Sequence, residues 1–272
     1  MTFEARTSGR SGDSVWRSTA RAPRLDADAV HVWRARLDLE PAGMTRCERL
    51  LSAEERQRAA RYRSQRDRRR FTVGRATVRR ILAGYSGLPP SELVFEERAH
   101  GKPRLTIPRP RFNISHADEM LILAVCEARE VGADVERAVP VAVEELVTRF
   151  FSLRERAEFA AVPPSERLGW FFDVWTLKEA YLKALGTGLS KPLASFSVAS
   201  RGVPAAASLS DAADPGAEER WQLRRLPVGS GFSAALVVER PPPRLVLLEW
   251  GAAEVAEEPS APRSPGGTNR LR

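Results

Sequence analysis

The strongest constraint on what this chain folds into is a recurrence one hundred residues apart. Leu50-Leu-Ser-Ala-Glu-Glu-Arg56 is echoed by Phe150-Phe-Ser-Leu-Arg-Glu-Arg156. In each copy a serine precedes a glutamate by three residues, Ser52 and Glu55 in one, Ser152 and Glu155 in the other. That is the spacing of a capping box, in which hydroxyl and carboxylate satisfy free N–H groups at a helix start. A long apolar helix is expected after each box, over 69–85 and 165–185, and each ends in Gly/Ser-rich turn residues. Strands are expected at Val30–Leu39, Leu93–Glu97, Arg111–Ser115 and Met120–Glu127, then again at Phe232–Glu239 and Arg244–Trp250, the last two parted by Pro241-Pro-Pro243. Two similar α+β halves of about 100 residues explain this order. The N-terminal half is assigned to 29–128 and the C-terminal half to 129–251, joined near Glu127–Glu130, with the active site in the cleft between them, a preferred place for ligands. Residues 1–28 and 252–272 lack periodicity and are expected to be disordered tails.

The chain has 272 residues with 43% hydrophobic residues, enough to bury a core. Its longest apolar run, Met120–Cys126, falls far short of a membrane span. The charged N-terminus has no apolar stretch that reads as a signal peptide. Two cysteines, Cys47 and Cys126, make no disulfide framework, which fits a reducing cytoplasm, and their spacing matches no zinc motif. The net charge of +8 is local: residues 1–100 carry 21 arginines against 13 acidic residues. Between Arg56 and Arg80, eleven arginines face only Asp67. Such a field is either a solvated face or a surface for phosphate-bearing ligands and acidic partners. The four lysines, Lys102, Lys178, Lys183 and Lys191, stand out in a chain that otherwise uses arginine. Lysine is a compact point charge where arginine is a planar fork, so these positions point to a distinct task.

In Gly132-Ala-Asp-Val-Glu136, residues two apart on a strand share a face, so Asp134 and Glu136 project side by side. Taken alone, this reads as an acidic edge strand in water. In Trp175-Thr-Leu-Lys-Glu-Ala-Tyr-Leu-Lys183, Glu179 and Lys183 are four apart on one helix face, flanked by Phe171, Phe172, Trp175 and Tyr181. Polar groups on a buried aromatic helix call for a polar partner, and Asp134 with Glu136 around a cation supplies one. Three carboxylates without a histidine or thiolate cluster select a hard, oxygen-loving ion: magnesium, with manganese as the alternative. Gly101-Lys-Pro103 makes a tight turn that presents Lys102. Phe112-Asn-Ile-Ser-His116 is a short strand closed by two hydrogen-bonding groups, Ser115 and His116; a lone histidine near a strand end is usually structural, and beside a basic turn and a metal site it is alternatively a phosphate contact. Neither a Walker loop nor a Gly-x-Ser-x-Gly hydrolase elbow occurs.

The ordered set Gly101-Lys-Pro103, Phe112–His116, Gly132–Glu136, Phe150-Phe-Ser152 and Trp175–Lys183 resembles the 4′-phosphopantetheinyl transferases of the long, two-half type, over roughly Val30 to Trp250. The resemblance implies an α+β pseudo-dimer binding coenzyme A between its halves. It implies transfer of phosphopantetheine to a serine of an apo acyl or peptidyl carrier protein of polyketide, nonribosomal-peptide or fatty-acid synthases, with release of adenosine 3′,5′-bisphosphate. By the same likeness Asp134, Glu136 and Glu179 hold the metal and Lys183 contacts a phosphate. Lys102, His116 and a first-helix arginine, Arg58 before others, surround the 3′-phosphate and adenine, Ser115 adds a hydrogen bond, and Pro103 and Arg75 also fall in the coenzyme site. Family members often carry two basic residues in the first helix, yet Glu55 is acidic here, and Arg63, Arg69, Arg70 or Arg75 is expected to compensate. Catalysis is assigned to Lys183 and to Glu179, as base directly or through a water. A duplicated chain completes its own cleft, so a monomer is expected.

Two other classes compete. A nucleic-acid module fits the arginine field but needs aromatic platforms, and only Tyr62 and Phe71 lie between Arg56 and Arg80. A metal-dependent phosphoesterase shares the acidic site but needs no carrier surface.

Overall fold

The computed structural model describes residues 16–38, 43–97, 101–199, 206–241 and 243–251. The tail segments 1–15 and 252–272 of the sequence reading lie outside the described residues. The first part of the chain runs β1 (Arg17–Ser18), β2 (Ala29–Arg36), α1 (Met44–Leu50), α2 (Ala53–Ala60), α3 (Gln65–Ser86), β3 (Phe95–Glu97), β4 (Pro103–Leu105), β5 (Arg111–Ala117) and β6 (Met120–Cys126). The second runs β7 (Val131–Arg137), α4 (Val143–Phe150), α5 (Leu153–Ala160), α6 (Arg167–Leu185), β8 (Phe196–Ala199), β9 (Ala206–Asp211), α7 (Ala217–Arg220), β10 (Trp221–Arg225), β11 (Phe232–Glu239) and β12 (Arg244–Trp250). The strands form two five-stranded sheets, β1-β12-β2-β6-β5 and β7-β11-β10-β9-β8, plus the β3-β4 pair. The protein is an α+β pseudo-dimer.

Both capping boxes form. Ser52 and Ser152 each accept from the amide of the glutamate three residues on, and each glutamate accepts from the serine amide. The long helices both stop at a left-handed glycine, Gly87 (φ 73°) and Gly186 (φ 71°), where a side chain would be strained.

The layers follow from side-chain alternation. Every residue of β6 is buried, because its two faces meet different cores. Leu121, Leu123 and Val125 pack with Trp33, Val73, Ile81 and Leu82 beneath α3. Ile122, Ala124 and Cys126 pack with Val30 and Val32 against Ala133, Val135, Leu236 and Val238 of the other sheet. Phe171, Leu177 and Tyr181 of α6 close the outer face of that second sheet. The order is therefore helix, sheet, sheet, helix, and the halves meet through their sheets.

Two boundaries differ from the sequence reading. Residues 244–250, expected in the C-terminal half, pair in parallel with β2 of the first sheet, Leu247 opposite Val32. This covers the open edge of β2 and buries Leu248 and Trp250, the latter against Trp33 with ring centroids 5.6 Å apart. Arg17–Ser18, expected within the N-terminal tail, pairs with Leu248–Glu249. No helix among the described residues is long and apolar enough to cross a membrane.

Candidate functional site

β7 alternates as expected. Val131, Ala133 and Val135 enter the inter-sheet core. Gly132 and Asp134 face α6, and Glu136 continues on that side. A Cβ on Gly132 would collide with the Ala180 carbonyl and the Ala184 amide, so glycine here lets α6 lie directly on the strand. That close approach brings Lys183 to Asp134. The Lys183 ammonium donates to Asp134 Oδ1 at 2.6 Å and to Ser115 Oγ at 2.9 Å. Ser115 in turn donates to Asp134 Oδ1 at 2.9 Å.

The three carboxylates share one electrostatic neighbourhood. Burial, then the anions Asp134 and Glu179, push the Glu136 carboxyl up to about 7, against the opposing pull of Lys183 and a hydrogen bond from Trp175. Burial and Asp134 likewise raise Glu179, again opposed by Lys183. Asp134 is 2% exposed and its Oδ2 is buried without a hydrogen-bond partner. An orphaned carboxylate oxygen among like charges is costly unless a cation answers it. Oxygen donors alone suit a hard divalent ion. Among the described residues, no group of three His, Cys, Asp or Glu side chains is placed so as to hold a metal ion. Lys183 is the cation that holds Asp134 in this arrangement.

The expected ligand residues divide. Arg58, Arg75, Pro103 and His116 line one cavity of about 390 Å³, together with Arg70, Phe71 and Tyr62. A second cavity of about 700 Å³ adjoins it and shares Arg58, Arg75 and Pro103. The lining of both comes from the N-terminal half. His116 stands at the wall of the first cavity, where desolvation followed by the cations Lys183 and Arg58 lowers its pKa. A neutral imidazole flanked by cations is suited to an anionic ligand.

Lys102 and Ser115 are placed otherwise. The Lys102 side chain is buried, and its ammonium donates to Glu130 Oε2 (3.0 Å), Val131 O (3.1 Å) and Ala184 O (3.3 Å). It clasps the end of α6 to the start of β7. Ser115 faces Asp134 and Lys183 rather than the cavity.

The acidic Glu55 also finds its reason. Burial alone would raise its pKa, but Arg75, Arg79 and the Ser52 amide outweigh that and hold it low. Arg79 Nε reaches Glu55 Oε2 at 2.7 Å and its Nη1 donates to the Pro90 and Leu93 carbonyls. Arg75 is therefore committed to Glu55 while it lines the cavity. Sequence reasoning missed Asn113, whose Oδ1 accepts from the Ala133 amide at 2.8 Å. Its position two residues before Ser115 on the same strand face was the available signal. It also missed the ion network at the cavity edge, where Arg70 meets Asp38 and Asp118 at 3.1 and 3.0 Å. Tyr62 and Phe71 pack together at a tilt of 37°, centroids 5.3 Å apart, with Arg58 over Phe71. They form one cavity wall, not a series of base platforms.

An arginine-lined cavity in one half and grouped carboxylates with a lysine in the other suit a protein that handles a phosphate-bearing ligand by positioning and charge neutralisation. Comparison with known proteins narrows the class. Residues 130–237 match the model of the 4′-phosphopantetheinyl transferase superfamily, and residues 40–128 match that of the 4′-phosphopantetheinyl transferase N-terminal region. The 4′-phosphopantetheinyl transferase HetI of Nostoc sp. is 38% identical over 172 residues, covering 61% of this chain and 73% of the relative. The 4′-phosphopantetheinyl transferase Sfp of Bacillus subtilis is 34% identical over 149 residues, covering 54% and 66%. The holo-[acyl-carrier-protein] synthase of Thermotoga maritima overlaps 41% of this chain and 62% of its own, with 28% identity and a TM-score of 0.34. The chain belongs to the 4′-phosphopantetheinyl transferase family.

Proposed function

We propose that this enzyme transfers the 4′-phosphopantetheine group from coenzyme A to a serine of an apo carrier protein, releasing adenosine 3′,5′-bisphosphate. Family membership supports the reaction. The observation that supports the site is the Asp134 carboxylate, gripped at Oδ1 by Lys183 and Ser115 and buried without a partner at Oδ2.

Asp134, Glu136 and Glu179 would hold a divalent cation, magnesium before manganese. When bound, that ion supplies charge neutralisation to the diphosphate of coenzyme A. Arg58, Arg75, Pro103 and His116 bind the nucleotide end, since they line the cavity. Lys183 neutralises charge that develops on the transferring phosphate. The carrier serine oxygen forms a bond to the phosphorus of the phosphopantetheine phosphate. The bond from that phosphorus to the bridging oxygen breaks, and adenosine 3′,5′-bisphosphate leaves with the electron pair. Glu179, whose proton affinity is raised by burial and Asp134, takes the hydroxyl proton directly or through a water. The exposed arginines around Arg61, Arg63 and Arg66 attract the acidic carrier. The carriers belong to polyketide, nonribosomal-peptide or fatty-acid synthases. Buried free thiols at Cys47 and Cys126 support a cytoplasmic setting, and a site completed within one chain supports a monomer.

The test is purified protein with coenzyme A, magnesium and a panel of apo carriers, read by intact mass. A carrier mass gain of one phosphopantetheine is expected, and about 10²–10³-fold slower transfer for Asp134→Asn and Glu179→Gln with the fold intact. Coenzyme A hydrolysis without carrier modification would favour a phosphoesterase and defeat the proposal.

A further inference from the structure

The resemblance assigns Ser115 to the coenzyme, but in this arrangement its hydroxyl is fully engaged by protein groups. It donates to Asp134 Oδ1 (2.9 Å) and accepts from Lys183 Nζ (2.9 Å) and from the Val135 amide (3.3 Å). One donor and two acceptors complete what a hydroxyl can make. Ser115 is 7% exposed.

The three partners sit on two other elements. Ser115 belongs to β5, the edge of the first sheet, while Asp134 and Val135 belong to β7, the edge of the second, and Lys183 to α6. No main-chain ladder joins β5 to β7; among the described residues, β7 pairs with β11 and β5 with β6. The outward amides of β7 are instead met by side chains of β5, Ala133 N by Asn113 and Val135 N by Ser115. Asn113 only pegs the strand. Ser115 pegs it and also grips the carboxylate. A carboxylate's terminal torsion is broad and soft, so fixing one oxygen decides where the other points.

We infer that Ser115 is a positioning residue for transfer: it locks Asp134 Oδ1 and Lys183 together across the boundary between halves, which aims Asp134 Oδ2 into the carboxylate site. This deepens the transferase reading and rests on it.

Ser115→Ala, Ser115→Thr and Asn113→Ala in the full chain separate the roles. Ser115→Ala is expected to lower kcat about ten- to a hundredfold while KM for coenzyme A stays within about twofold. Ser115→Thr, which keeps the hydroxyl, restores most of kcat. Asn113→Ala lowers the melting temperature comparably but keeps kcat within about threefold. Without turnover, Mn²⁺ affinity followed by electron paramagnetic resonance falls about tenfold in Ser115→Ala, and the Val135 amide exchanges faster with deuterium. A raised KM with unchanged kcat, with the penalty absent for 3′-dephospho-coenzyme A, would make Ser115 a ligand contact and overturn the inference. Equal loss of kcat in Asn113→Ala would overturn it too, reducing Ser115 to a strand peg. An inactive wild-type enzyme defeats the transferase reading instead; Ser115 is then judged on Mn²⁺ affinity and Val135 exchange, and no change in either sinks the inference by itself.

Discussion

The two halves anchor their long helices with the same device and use the free faces of those helices for opposite chemistry. In each, a capping-box glutamate is buried and answered by a cation eight residues before the left-handed glycine, Arg79 before Gly87 and Lys178 before Gly186. Each cation also donates to the carbonyl just after a short 3-10 turn, Leu93 in one half and Phe196 in the other. The remainder diverges. β2 carries Arg34 and Arg36, which pair with Glu249 and Glu119, while β7 carries Asp134 and Glu136. α3 lines an arginine-rich cavity, while α6 presents Glu179 and Lys183 to the carboxylate strand. One scaffold carries an arginine-lined cavity in one half and a cluster of carboxylates in the other. The buried pairs belong to the scaffold, and the residues on the free faces make up the proposed site.

The largest effects should break the shared device unequally. Lys178→Met leaves Glu155, fully buried, without its cation, and breaking such a pair costs about 3–5 kcal/mol. Arg79→Met should cost less, about 1–3 kcal/mol, because Arg75 still reaches Glu55. Denaturant melts of both variants check this; equal losses would mean that the second guanidinium adds nothing.

Gly132→Ala comes next. Its methyl meets helix backbone that cannot yield, for a loss of about 3 kcal/mol by chemical denaturation. Lys183 would be displaced from Asp134, so transfer should fall as well.

Acid sensitivity from histidine belongs to the first half alone. His31 Nδ1 lies 2.7 Å from the Tyr85 hydroxyl, to which Trp33 also donates. Burial, then Arg244 and Arg17, lower its pKa to about 4. The unfolded chain therefore binds this proton more tightly, and the stability His31 allows is present above pH 6.5 and lost as pH falls toward 4. The loss is up to about 3 kcal/mol. His31→Phe should flatten the stability slope across that window; an unchanged slope would assign it to other groups.

The smallest effect contrasts with Gly132. A methyl on Gly74 of α3 meets only Leu121 and Leu37 at ordinary contact distances. Gly74→Ala should leave the fold unchanged or stabilise it by up to about 1 kcal/mol, read as a higher melting temperature.

Much of the scaffold was legible because its signals are local. A serine and a glutamate three apart specify a helix start, a glycine permits its left-handed stop, and alternation puts Asp134 and Glu136 on one face. Glu179 and Lys183 sharing a helix face followed from the 3.6-residue period. Lys178 drew notice as a rare lysine, but nothing near it in sequence shows that Glu155 is its partner. Ser115 and Lys102 were legible as polar groups near the site, whereas their acceptors, Asp134, Val131 and Ala184, lie on other elements. The parallel pairing of β12 with β2 links segments more than two hundred residues apart, for which no local pattern exists.

The sequence by itself determined two α+β halves, the capping boxes and where the long helices end, the faces bearing the carboxylates and the family. Each rests on residues within a few positions of one another, where backbone sterics and periodicity decide the outcome. Only the tertiary structure decided which oxygen of Asp134 is gripped, why Glu55 is acidic, and that two polar side chains on β5 join the halves in place of a ladder. Those outcomes depend on how closely α6 settles onto β7 and on where the two sheet edges meet, distances set by packing across the whole core.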